Sequence, residues 1–276
     1  MLTLSDMQEH EIAVGDLPIH YYRRAGGPQA TLVFIHGWGS SGRMWLPSFQ
    51  AIGDLGTCLA LDLPGHGRSA RPTFDWYSLD RFVAVVRGFL IELGVEKPVL
   101  ISHSLGGAIA LAYAAAYPGE ISRLVAVAPA VSGRVVPGAR WLLHPAFFGP
   151  LRAISSVAWP AAALTIRSRR LHSAAARLLQ PFRLQDLEDF SQSDPEAGLA
   201  SAVVAARSDL SGVLGHICAP CLIVVGKGDL TIPPQEGRRA ARAIPGAQLV
   251  ELPARHHPFH ERPDLFFPIL RSFLQS

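Results

Sequence analysis

The stretch from Val99 to Tyr117 constrains this chain more than any other. A short apolar run, Val99-Leu100-Ile101, leads into Ser102-His103-Ser104-Leu105-Gly106-Gly107-Ala108, and an Ala-rich segment at helical spacing follows. A buried strand that turns at once into a helix needs small residues at the corner, because neighbouring backbones come into contact there. Such a strained turn carries one hydroxyl, that of Ser104, at its tip. The helix N-terminus behind it offers unpaired N–H groups and a positive dipole end to a developing oxyanion. Gly106 supplies the small residue two positions after Ser104. Two positions before it, Ser102 puts a hydroxymethyl group where the pattern has hydrogen.

The rest of the chain alternates strand and helix signals. Residues 11–22 alternate around Gly15-Asp16 and read as a β-hairpin. Apolar runs at 31–35, 57–61, 99–101, 124–128, 222–225 and 248–252 read as strands, and helical periodicity covers 79–93, 105–117 and 263–274. Near-continuous apolar strands separated by helices predict an α/β fold: a mostly parallel sheet with helices on both faces. With 276 residues, 49% hydrophobic and only 17% charged, the chain can fill the large core that this fold requires. The gap between Ala128 and Leu222 is too long for a structureless loop. It is rich in Ala, Leu and Arg at helical spacing and broken by Pro137, Pro145, Pro150, Pro160 and Pro181. The expected division is therefore a core domain of residues 1–128 and 212–276 with a helical cap, residues 129–211, inserted over the sheet.

Several function classes are set aside by composition. No apolar stretch reaches the roughly 18 residues needed to span a bilayer. Residues 1–10 are polar and acidic and lack a basic segment ahead of an apolar run, so no secretory signal is read and a cytoplasmic location is expected. The net charge of +3 comes almost wholly from Arg, Lys97 and Lys227 being the lysines, and no nucleic-acid-binding signature accompanies it. Three cysteines (Cys58, Cys218, Cys221) cannot build a full disulfide framework. Cys218-Ala219-Pro220-Cys221 spells C-x-x-C, but it leads into an apolar strand rather than the helix N-terminus that would lower a thiol pKa, so it reads as packing.

Ligands of parallel sheets bind at the carboxyl ends of the strands. The loops there are His36-Gly37-Trp38-Gly39, residues 62–69, 102–106, 226–229 and 255–259. A serine hydroxyl is a weak nucleophile and needs a base, a group that orients the base, and oxyanion donors. His256, directly after the last strand, is the expected base, with His257 as the alternative. Asp229 in Gly226-Lys227-Gly228-Asp229 is the expected orienting acid, since the loop after the preceding strand, Ala126-Val127-Ala128-Pro129-Ala130, holds no carboxylate. The N–H groups of Leu105 and Trp38 are the expected oxyanion donors, and His36 is expected to brace its loop by hydrogen bonding. Trp38, His103, Phe147 and Phe148 are the expected substrate-contacting residues. Arg152, Arg167, Arg169, Arg170, Arg177 and Arg183 form either a solvated helical face or a docking face for an acidic carrier or anionic acyl group. This chemistry calls for no metal and no cofactor.

Five ordered motifs carry a resemblance. His36-Gly37-Trp38-Gly39 with Trp45, the run from Asp62 to Ser69 (DLPGHGRS), Ser104-Leu105-Gly106-Gly107, Gly226-x-x-Asp229 and His256-x-Pro258-Phe259 together resemble the α/β-hydrolase superfamily. Within it, the His-Gly-Trp-Gly and His-x-Pro-Phe motifs are most similar to the pimeloyl-acyl-carrier-protein methyl ester esterases of biotin synthesis. The resemblance implies an α/β-hydrolase fold and a serine esterase in which Ser104 attacks, His256 moves the proton, Asp229 orients it, and Trp38 and Leu105 hold the oxyanion. It implies a small-molecule carboxylic ester as substrate, including the methyl ester of an acyl chain or of an acyl-carrier-bound group. Ser102 and Arg255 depart from the small residues usual at those positions. A thioesterase or C–C bond hydrolase would use the same groups, and a non-catalytic relative would bind a hydrophobic ligand under the cap.

Overall fold

A computed structural model describes residues 7–27, 30–135, 189 and 194–276. Their centre is one sheet of eight strands: β1 (Gln8–Val14), β2 (Leu17–Arg24), β3 (Thr31–Ile35), β4 (Thr57–Leu61), β5 (Val99–His103), β6 (Arg123–Val127), β7 (Cys221–Gly226) and β8 (Gln248–Leu252). Their spatial order is β1-β2-β4-β3-β5-β6-β7-β8. The hairpin predicted around Gly15-Asp16 forms, with Val14 opposite Leu17 and Gly15 at φ 56°. β2 runs antiparallel to β4, and the strands from β4 to β8 pair in parallel.

Strand side chains alternate between two cores, as the two-residue repeat of a strand requires. Val33, Ile35, Leu100, Leu124 and Ile223 face α2 (Leu79–Glu92), α3 (Leu105–Ala116) and a later helix. Leu32, Phe34, Ile101, Val125 and Val224 face the other way, where α1 (Leu46–Ile52) and the C-terminal helix lie. α2 is the amphipathic helix its periodicity predicts, started by Ser78, whose hydroxyl accepts the N–H of Arg81. α3 is buried almost all round, which its run of Ala, Leu and Gly allows.

Of the segment expected as a cap, residues 129–135, 189 and 194–211 are described. α4 (Pro195–Arg207) starts with Asp194 capping the N–H of Ala197 at 2.9 Å and Pro195 in the first turn. It buries Ala197, Ala200, Val204 and Ala205 in the same core as α3. The Leu210 N–H donates to Val131 O at 2.9 Å, so the described ends of the segment are tied to each other. Phe147, Phe148 and the arginines from Arg152 to Arg183 lie outside the described residues.

α5 (Pro234–Ala243) follows β7, with its small residues Gly237 and Ala240 facing the sheet. The short α6 (Pro258–Glu261) and the longer α7 (Pro263–Gln275) close the chain. Cys58 and Cys221 are buried strand residues, and burial pushes both thiols up to about 12. Cys218 is exposed, and all three are free.

Candidate active site

β5 ends at His103 and α3 begins at Leu105, so Ser104 alone makes the corner. It sits at φ 55°, ψ −115°, a region that costs a non-glycine residue on the order of 1–3 kcal/mol. The surroundings enforce it. The Ser104 N–H donates to Val127 O at 3.0 Å, and Ser104 O accepts from Ala108 N and Ala130 N at 3.1 and 3.2 Å. A Cβ on Gly106 would fall 2.4 Å from His36 O and 2.5 Å from Ile35 O, so glycine is required where α3 passes β3. Ser102 is accommodated by a hydrogen bond: its hydroxyl donates to Val125 O of β6 at 2.9 Å.

The loops after β7 and β8 are zipped together. Lys227 N donates to Leu252 O and Gly228 N to Ala254 O, both at 2.9 Å. Beyond that zip, Asp229 and His256 meet, with Nδ1 of His256 2.7 Å from Oδ2 of Asp229. The other carboxylate oxygen, Oδ1, accepts from the N–H groups of Thr231 (2.8 Å) and Ile232 (3.0 Å). Asp229 is therefore held from both sides and buried, and the imidazole donates through Nδ1–H, leaving Nε2 as an acceptor. His256, not His257, is the histidine brought to Asp229. Pro258 starts α6, and the fully buried Phe259 stacks on Trp45 at 4.6 Å, which joins two of the sequence motifs in one contact.

His103, expected at the substrate, is placed among buried groups. It is 2% exposed and turned into the protein, with Nε2 2.9 Å from the main-chain oxygen of His256. Its ring lies 4.6 Å from that of His256, 4.7 Å from His257 and 5.3 Å from Phe259. Burial, with the neighbouring His256 and His257, holds it well below the usual histidine pKa. A neutral imidazole has one N–H, which the His256 carbonyl takes. Nδ1 is then a buried acceptor without a partner, a desolvation penalty of about 1–3 kcal/mol.

The loop after β3 lies against the same corner. His36 braces it as expected: Nδ1 faces Gly37 O at 2.7 Å and Nε2 accepts the N–H of Leu63 at 2.9 Å. A Cβ on Gly37 would sit 3.1 Å from the Ser104 Cβ, so this backbone runs directly beside the corner. Trp38 is 41% exposed, and its indole N–H donates to Gly198 O of α4 at 2.6 Å. Ser41 and Arg43 both reach the buried Asp189 carboxylate, at 2.9 and 3.4 Å. The loop after β4 is held by Asp62, whose carboxylate accepts from Gly42 N, Arg68 N and the His20 ring.

The model of the Alpha/beta hydrolase family matches residues 32–269. The chain belongs to that family. Among relatives of this hydrolase, an uncharacterized protein of Mycobacterium tuberculosis is 27% identical over 94% of this chain and 80% of its own. A pimeloyl-acyl-carrier-protein methyl ester esterase of Vibrio vulnificus is 26% identical over 92% of this chain and 97% of its own. Among solved structures, the enol-lactonase of Burkholderia xenovorans LB400 superposes with a TM-score of 0.80 at 25% identity, covering 97% of this chain and all of that one. No helix among the described residues is long and apolar enough to cross a membrane.

Proposed function

We propose that this hydrolase cleaves a carboxylic ester through a covalent acyl intermediate on Ser104. The observation that carries the reading is the Asp229–His256 pair. Its 2.7 Å hydrogen bond, with the other Asp229 oxygen committed to two main-chain N–H groups, leaves His256 Nε2 able to accept a proton. In the first half-reaction His256 Nε2 takes the Ser104 proton as Oγ attacks the ester carbonyl. The N–H groups of Leu105 and Trp38 hold the oxyanion. His256 returns the proton to the departing alcohol, leaving an acyl-serine. Water then attacks that ester, giving its proton to His256, and Ser104 recovers it as the acid leaves. Asp229 holds the imidazole and stabilises its charged form.

Residues 129–211 read as a cap, supported by the hydrogen bond from the Trp38 indole in the β3 loop to Gly198 O of α4. A methyl ester of an acyl chain, free or carrier-bound, is the substrate class favoured by the Vibrio relative's name and by the arginines between Arg152 and Arg183. The test is turnover of p-nitrophenyl esters from acetyl to palmitoyl, with Ser104→Ala in parallel. Ser104-dependent hydrolysis supports the reading, and a loss smaller than about tenfold in Ser104→Ala would remove Ser104 from the chemistry. Turnover of acyl thioesters in preference to oxygen esters would move the assignment to a thioesterase. Failure of every ester, together with no fluorophosphonate labelling of Ser104, would leave a ligand-binding relative.

A further inference from the structure

We propose that His103 is a positioning residue: its Nε2–H, donated to the main-chain oxygen of His256, sets the His256 imidazole in register with the Ser104 hydroxyl. This inference rests on the ester-hydrolase reading and deepens it. His103 and Ser104 are consecutive residues on one enforced turn. The group that holds the His256 backbone and the group that needs the His256 ring therefore share one rigid support. Without that bond, the register between residues 104 and 256 passes through β6, β7, β8 and the loops joining them.

The imidazole is held on several sides. The His256, His257 and Phe259 rings lie within 4.6–5.3 Å of it. On the side of the β3 loop, a Cβ on Gly37 would fall 2.9 Å from Nδ1, so the Gly37 backbone closes that face. A ring so packed cannot swing, and the 2.9 Å bond to the His256 carbonyl inherits that rigidity. Nδ1 is buried without a partner, which an apolar side chain of similar size would avoid. The imidazole is thus a poor choice for packing alone, and what it adds is a donor aimed at the backbone of the catalytic histidine.

The experiment compares His103→Leu, His103→Asn and His103→Gln with wild type and Ser104→Ala, using a short p-nitrophenyl ester. Gln carries an amide N–H at the reach of imidazole Nε2, whereas Asn is too short and Leu has no donor. The expected result is a kcat loss on the order of 10- to 100-fold in Leu and Asn variants, with KM held within about 2-fold, and recovery to within about 3-fold of wild type in the Gln variant. Fluorophosphonate labelling of Ser104 should slow in parallel, while melting temperatures change by no more than about 3 °C. Wild-type kcat in His103→Leu or His103→Asn, with Ser104→Ala inactive, would overturn the positioning role and leave the ester-hydrolase reading intact. Equal loss in the Gln and Leu variants would overturn it too, since volume and not the donor would then matter. An unaffected Ser104→Ala would overturn both.

Discussion

Asp229→Asn tests the acid–base role proposed for the His256 imidazole more sharply than deletion would. In the native site Oδ1 faces two N–H donors, from Thr231 and Ile232, so the Asn side-chain oxygen must occupy that position. The amide NH₂ is then forced toward His256 Nδ1 at the place of Oδ2, 2.7 Å away. A donor there requires Nδ1 to accept, which moves the imidazole proton to Nε2 and removes the base proposed for Ser104. The expected kcat loss is on the order of 10³- to 10⁴-fold, roughly 4–5.5 kcal/mol of transition-state stabilisation. Both main-chain donors stay satisfied, so stability should change by no more than about 1 kcal/mol. Initial rates on p-nitrophenyl butyrate and urea unfolding of both proteins supply the two numbers. A kcat within tenfold of wild type would refute the tautomer argument, and so would a large kcat loss that merely tracks global unfolding.

Burial, and then His36, lowers the His66 pKa to about 3, with its Nδ1 on Pro64 O and Nε2 unpartnered. The unfolded chain protonates this residue near 6.5 while the folded chain does not, so stability should fall as pH drops from about 6.5 toward 3, by up to roughly 4–5 kcal/mol from this residue. Urea midpoints across that range should decline less steeply for His66→Gln; an unchanged slope would clear His66 of the effect. Gly106→Ala puts a Cβ within 2.5 Å of two main-chain oxygens and should cost more than about 2 kcal/mol, read by thermal melting; a variant as stable as wild type would contradict the close approach of α3 to β3. Ser102→Gly removes the hydroxyl bond to Val125 O and adds backbone freedom, so about 1–2 kcal/mol of stability should go while kcat stays within about 3-fold. A large kcat change there would show that Ser102 shapes the turn rather than fitting it.

Much of the fold was legible because its signals are local. Apolar runs bounded by turn residues mark β3, β4 and β8 with the limits observed, and the strand–Ser–helix corner announces the site. Apolar runs say little about α5, because its buried residues are Glu236, Gly237 and Ala240, none of them a large apolar side chain. Nor do they report strand order: that β4 lies between β2 and β3 is a matter of crossover connections, not of residue pattern. Chain order placed Asp229 and His256 in one neighbourhood, and position directly after the last strand favoured His256 over His257; the 2.7 Å contact of its ring with the carboxylate agrees with that choice. The surroundings of His103 are a matter of tertiary structure. Sequence puts it beside Ser104 but does not say whether the strand end turns it outward to ligand or inward to His256.

The sheet grows at one edge from β5 onward, with β6, β7 and β8 added in the order of synthesis. Ser104 follows β5, whereas Asp229 and His256, the acid–base partners proposed for it, follow the last two strands, β7 and β8. On the proposed mechanism, a partly made chain would carry the hydroxyl without the means to activate it. The same geometry runs in reverse under stress. β8 is the edge strand, and Gln248 and Leu249 are exposed. Fraying there releases His256 while the central strands hold. The proposed catalysis should therefore fail on heating before the helices melt, its loss reporting the loosening of one border of the molecule rather than its collapse.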